Sequence, residues 1–150
     1  MATLSWGKPK IEICAYVADA MPASPVWTVV DTPVEDTTKL TPTKGTKSEA
    51  KQEGGGVVDA KYAKNSYAFE FELYAKKGKT KPIVDNDGVV VEHYAVRLTP
   101  EDETLEGFIL DKVSVQVEDT YTPKDGKKWK YTCDALEPAT GNILKPYTKA

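Results

Sequence analysis

Between Ser66 and Ala75 the large apolar side chains fall on every second position, and this alternation narrows the fold more than any other feature of the chain. Tyr67, Phe69, Phe71, Leu73 and Ala75 share one face of an extended backbone, and Glu70, Glu72 and Tyr74 share the other. A period of two cannot lay one apolar stripe along a helix. The segment is therefore predicted as a strand with one packed and one wet face, the pattern of an antiparallel sheet.

The same period recurs along the chain. From Lys10 to Val17, Ile11, Ile13, Ala15 and Val17 alternate with Lys10, Glu12, Cys14 and Tyr16. Val26–Val30 is a short apolar run bracketed by Pro25 and Pro33. Asp85-Asn86-Asp87-Gly88 is a turn signal, with Gly88 free to take a positive φ, and it leads into Val89–Leu98. Val113, Val115 and Val117 alternate with polar neighbours; after Asp125-Gly126, Trp129, Tyr131, Cys133 and Ala135 do the same. These last runs are predicted to form a hairpin, Lys112–Glu118 against Lys128–Leu136. Trp129 and Tyr67 are expected in the core.

One helix is expected. In Thr99-Pro100-Glu101-Asp102-Glu103, Thr99 can cap, Pro100 suits the first helical position and three acids suit the positive end of the dipole; Gly107 would end it after two turns. The same residues also read as an acidic loop. The predicted class is mainly β, an antiparallel sandwich or barrel with one short helix, forming a single domain over residues 1–150.

Composition excludes several functions. With 23 acidic against 20 basic residues, the formal charge of −3 gives no basis for specific nucleic-acid or anionic-membrane binding. Arg97 is the only arginine, so the bidentate fork favoured for phosphate is nearly absent, and lysines suit wet faces and strand edges. No run approaches the ~20 apolar residues of a membrane span, and no basic start followed by an apolar run precedes Trp6, which sets the expectation of cytosolic synthesis. Cys14 and Cys133 are expected reduced and buried, a disulfide being the minority reading.

No catalytic constellation emerges, and neither an enzyme nor a cofactor is expected. His93 is the only histidine, too few imidazoles for a metal site with two distant cysteines. Glu70/Glu72 and Glu101/Glu103 are spaced as solvated faces. The Asp85–Gly88 tetrad lacks the later ligands of a calcium loop. Gly54-Gly55-Gly56 lacks the Lys-Ser/Thr sequel of a phosphate loop and leads into strand-like Val57-Val58. Trp6, Trp27, Trp129 and eight tyrosines leave open a sugar-binding platform, against the plainer view of core and interface edges.

One segment has nothing of its own to pack on. Thr41–Gly56 contains no large apolar residue and is long for a connection within a domain. The alternation of Lys47, Glu49, Lys51 and Glu53, with Lys44 before it, permits a polar extended arm over 41–56. Gly54, Gly55 and Gly56 are placed as its hinge or bulge.

The layout as a whole resembles the tail tube proteins of long-tailed bacteriophages and prophages. Its parts are an N-terminal strand pair, the Lys/Glu arm ending in three glycines, the Tyr67–Ala75 strand, the acidic segment, and a closing hairpin through Trp129-Lys130-Tyr131-Thr132-Cys133 into Ala135-Leu136-Glu137-Pro138. The resemblance implies a virion structural subunit assembled in the bacterial host cytoplasm. Six copies would close into a ring, and rings would stack into a tube passing DNA without specific binding. It also implies that the arm reaches a neighbouring ring and that Glu70 and Glu72 are candidates for the lumen face. Two other readings stay open: an immunoglobulin-like module binding carbohydrate or protein, and a tube component of a type VI secretion-like machine.

Overall fold

The computed structural model describes residues 3–16 and 22–149. Among them ten strands form: β1 Lys10–Tyr16, β2 Thr28–Val29, β3 Lys39–Thr43, β4 Lys47–Lys51, β5 Val57–Tyr62, β6 Ser66–Tyr74, β7 Val89–Thr99, β8 Gly107–Thr122, β9 Gly126–Ala135 and β10 Leu144–Tyr147. Eight of them make one antiparallel sheet in the order β2-β1-β7-β8-β9-β6-β3, with β10 also paired to β8. The order runs from β2 to β3 without those two strands pairing, so the described sheet is not a closed barrel. β4 and β5 form a separate two-stranded sheet.

The core follows from the alternation. Phe69, Phe71 and Leu73 of β6 are buried beside Trp129, Tyr131 and Cys133 of β9 and Val113, Val115 and Val117 of β8. Register places these in rows: Phe69 opposite Cys133, and Cys133 opposite Val115. Phe71 stacks on Tyr131 with ring centroids 5.2 Å apart.

A bulge lets the sheet curl over this core. Tyr94 is opposite Val113 while Val96 is opposite Leu110, so β8 carries one more residue than β7 across that interval. The inward positions of β8 accordingly change from even (Phe108, Leu110) to odd (Val113 onward). In a flat sheet Phe108 would lie roughly 23 Å along the strand from the Phe69 row, at ~3.3 Å per residue. Instead the two rings meet edge-on, with centroids 5.3 Å apart. Beyond the bulge β10 takes the flank that β9 leaves: it pairs with β8 over Gly107–Leu110, whereas β9 pairs from Val113 to Thr122.

Two turns form as their residues direct. Asp87 and Gly88 both have positive φ, 49° and 88°, and reciprocal bonds between Asn86 and Val89 close a two-residue hairpin turn. Gly126, at φ 79°, ends the β8–β9 connection.

Several expectations are corrected. No helix forms among the described residues, and Thr99 is not a cap. It is the last residue of β7, buried and paired with Lys10. The capping side chain is Asp102, whose Oδ1 accepts from Thr104 N and Oγ1 at 3.0 and 2.7 Å, making a local turn in place of a helical start. Tyr67 is half-buried instead of core, and Ala15 is exposed. Val17 lies outside the described residues. Conversely, the side of β1 opposite the core is also covered: Glu12, Cys14 and Tyr16 are all buried.

Candidate assembly surface

The arm is a two-stranded hairpin continuing the β3–β6 ribbon. Thr41 and Thr43 belong to β3, where Thr43 is opposite Ser66. Beyond that pair, Gly45 N donates to Asn65 Oδ1 at 3.1 Å and Ala63 N donates to the Thr46 carbonyl at 2.9 Å. A Cβ on Gly45 would collide with the Ala63 carbonyl, so the two backbones approach here only because residue 45 is glycine. From Lys47 opposite Tyr62 the strands pair to Lys51 opposite Val57. The register shift between Ala50 and Lys51 leaves Val58 as the extra residue on β5.

Gly54, Gly55 and Gly56 are at the tip of this hairpin, not at its hinge. Gly54 and Gly55 have φ of 92° and 90°, conformations that L side chains rarely adopt, and bonds between Gln52 and both Gly55 and Gly56 close the turn. The bulge lies one step down the ladder, at Ala50/Lys51.

Every residue of β4 is exposed, and of β5 only Ala60 is even half-buried. Lys47 and Glu49 pair at 2.6 Å, and Lys47 sits over the Tyr62 ring at 5.9 Å. These contacts stay within the hairpin. Val57, Val58 and Tyr62 are 55, 66 and 70% exposed. Sequence reasoning ended the arm at Gly56 and so missed its second strand. The signal available was the strand-like run Val57-Val58 directly after the glycines.

A groove of about 620 Å³ lies at the other end of β3. Leu40, Leu98 and Phe108, all half-buried, give it an apolar floor with Phe69 beneath. Trp6, 70% exposed, and Pro33 wall it. Glu35 and Asp36 stand on its rim and are exposed. Lys8 and Lys39 also line it, Lys39 in an ion pair with Glu70 at 3.5 Å. None of its lining comes from the hairpin.

Glu70 and Glu72 face outward from β6, as the alternation requires, and both are half-buried. Glu72 is opposite Lys130 of β9, and Lys130 is opposite Glu118 of β8. This face therefore interleaves charges and is not uniformly acidic.

Elsewhere the ionisable groups fasten loops. Asp85 Oδ1 accepts from Lys81 Nζ and Oδ2 from Gly88 N, both at 2.7 Å; Lys81 also reaches Asp119 at 2.9 Å. The Lys81 ammonium and the Gly88 amide hold the Asp85 carboxyl below the usual carboxylate range, and Asp85 in turn raises Lys81. Tyr131 donates its hydroxyl to the Ile83 carbonyl at 3.1 Å, and burial raises its pKa. Both cysteines are free and buried, and burial pushes the Cys133 thiol up to about 12. His93 is a half-buried strand residue whose Cα partners are Ser114 and Tyr16. Glu101 accepts from Lys8 N, and Glu103 pairs with Lys149, so these two acids do not converge.

No protein-family model matches the chain, and no curated protein matches it.

Proposed function

We propose that this chain is a structural subunit, without cofactor, that assembles with copies of itself into rings stacked as a hollow tube. The tube is of the kind found in the tails of long-tailed bacteriophages, built in the host cytoplasm and passing DNA without specific binding. The observation that carries the reading is the β4–β5 hairpin. It has a fastened base, a turn formed by glycines and paired strands, yet nearly every residue of its two strands is exposed among the described residues. Ordering such a ribbon costs conformational entropy of about 1–2 kcal/mol per residue. An isolated two-stranded hairpin in water is marginal at best, so a surface outside the subunit is its natural complement.

Two features agree with this reading. The sheet curled over its core is sandwich-like, and its terminal strands β2 and β3 have partners on one side only among the described residues. Open strand edges are templates for pairing between chains, and a rotation that closes makes a ring. The lumen assignment of Glu70 and Glu72 belongs to the same proposal and requires Lys39 and Lys130 to line the lumen with them.

Negative-stain microscopy of concentrated protein tests the reading, with hollow tubes or stacked rings as the expected result. Replacing Lys47–Tyr62 by a two-residue turn should leave a folded chain that builds no tubes. Tubes from that variant would overturn the role given to the hairpin.

A further inference from the structure

We propose that residues 3–8 are a lid hinged at Gly7, and that the Trp6 indole they carry closes over the apolar floor of Leu40, Leu98 and Phe108 in its own chain. The proposal stands apart from the assembly reading and needs no second molecule.

The chain is held very differently on the two sides of Gly7. On the far side, Lys8 N donates to Glu101 Oε2 at 2.9 Å, Pro9 fixes its own φ, and Lys10 enters β1 opposite Thr99. On the near side, residues 3–6 are all exposed. Among the described residues they make one hydrogen bond, and it is local, from Trp6 N to the Leu4 carbonyl at 2.9 Å. The boundary between the fastened and the unfastened chain is therefore Gly7. Its φ is 93°, and a Cβ on it would collide with the Glu101 carboxylate. Glycine alone turns freely in that position, and a hinge is a position that absorbs a large change of φ and ψ.

The indole already stands on the wall of the groove that it would close. Trp6 lines the groove and is 70% exposed, while Leu40, Leu98 and Phe108 below it are half-buried. A rotation about Gly7 that lays the ring on this floor takes apolar surface of both out of water. An indole N–H that leaves water needs an acceptor, and the exposed carboxylates of Glu35 and Asp36 on the rim supply it. The charges of the lining balance, Lys8 and Lys39 against Glu35 and Asp36, so they select no charged occupant and suit an apolar plug. Closing shields an apolar floor that would otherwise invite unspecific association. Opening presents it.

Full-length protein labelled with fluorotryptophan tests the lid by ¹⁹F NMR. Of its three tryptophan resonances, the one lost in Trp6→Ser reports the lid. Its displacement between light and heavy water should be about half that of the free amino acid or less, as for a closed state at least as populated as the open one. Gly7→Ala forces residue 7 off its positive φ and off the Glu101 carboxylate, and should restore the full displacement. Glu101→Ala removes the clasp but keeps the hinge, and should restore part of it. Circular dichroism of the variants should match the parent. In the parent itself, ring-current shifts of the Leu40 and Leu98 methyls should be present and should vanish in Trp6→Ser. A full solvent displacement in the parent, with those methyls indifferent to Trp6→Ser, would overturn the lid. A small displacement that neither Gly7→Ala nor Glu101→Ala changes would overturn the hinge and the proposal with it. Neither result depends on whether tubes form, so the assembly reading stands or falls separately.

Discussion

At the scale of single residues, the most consequential side chain is the only arginine. Arg97 is opposite Glu12 in the β1–β7 register and binds it with both arms, at 3.1 Å through Nε and 2.8 Å through Nη2. Its guanidinium also lies 4.3 Å from the Trp27 ring centre and 4.7 Å from that of Tyr147. One cation thus ties the segment before β2 and the strand β10 to the sheet, which explains how Glu12 is only 6% exposed. Lysine could not reproduce the planar fork or the double stack. Arg97→Ala should cost about 3–5 kcal/mol, because it leaves a buried carboxylate without its partner, and adding Glu12→Gln should recover part of the loss. Urea unfolding of the single and double variants measures both. Asp85 contributes to the acid limb of stability. Its folded pKa is depressed, so its contribution is complete above the unfolded value of about 3.9 and is lost as pH falls through the folded pKa. Lys81 is raised, so its share persists below its unfolded value and disappears as pH rises through the folded one. Asp85→Asn should lower stability by roughly 1.5–3 kcal/mol near neutrality and flatten the decline below pH 4, read from unfolding midpoints across pH.

At the scale of elements, the arm and the bulge matter most. The arm depends on close approach at its base. Gly45→Ala should push residue 45 away from Ala63 and open the hairpin without disturbing the core, with a local cost of about 1–3 kcal/mol. Amide exchange should speed up through Lys47–Tyr62 and stay unchanged in β6, β8 and β9; slow exchange in β8 lost together with the arm would refute this independence. The bulge in β8 has the opposite character, since it lies inside the body and turns the sheet over Phe69 and Phe108. The predicted hairpin of Lys112–Glu118 with Lys128–Leu136 is present and longer than expected, because pairing continues to Thr122 opposite Gly126. The 99–107 helix failed for a stated competitor: Thr99 already serves the β7 ladder, and Asp102 satisfies Thr104 locally before a helical turn can nucleate.

At the scale of the whole molecule, the chain is one antiparallel sheet curled over a core, with a ribbon projecting from one edge strand pair and an apolar groove at the far end of the same edge strand. The ribbon, exposed along nearly all of both strands, is the feature on which the proposed self-assembly rests. The sequence alone marked the central strands, because a period of two lays one apolar face along an extended backbone: the core faces of β6, β8 and β9 are legible in Phe69, Val115 and Tyr131. It also determined that Thr41–Gly56 lacks apolar anchors and that Asp87-Gly88 turns the chain. Only the tertiary structure decided the rest. The phase change in β8, the pairing of Arg97 with Glu12 and the groove under Trp6 all join residues far apart in the chain. Such contacts depend on register and on bends in the sheet, which local side-chain patterns do not encode.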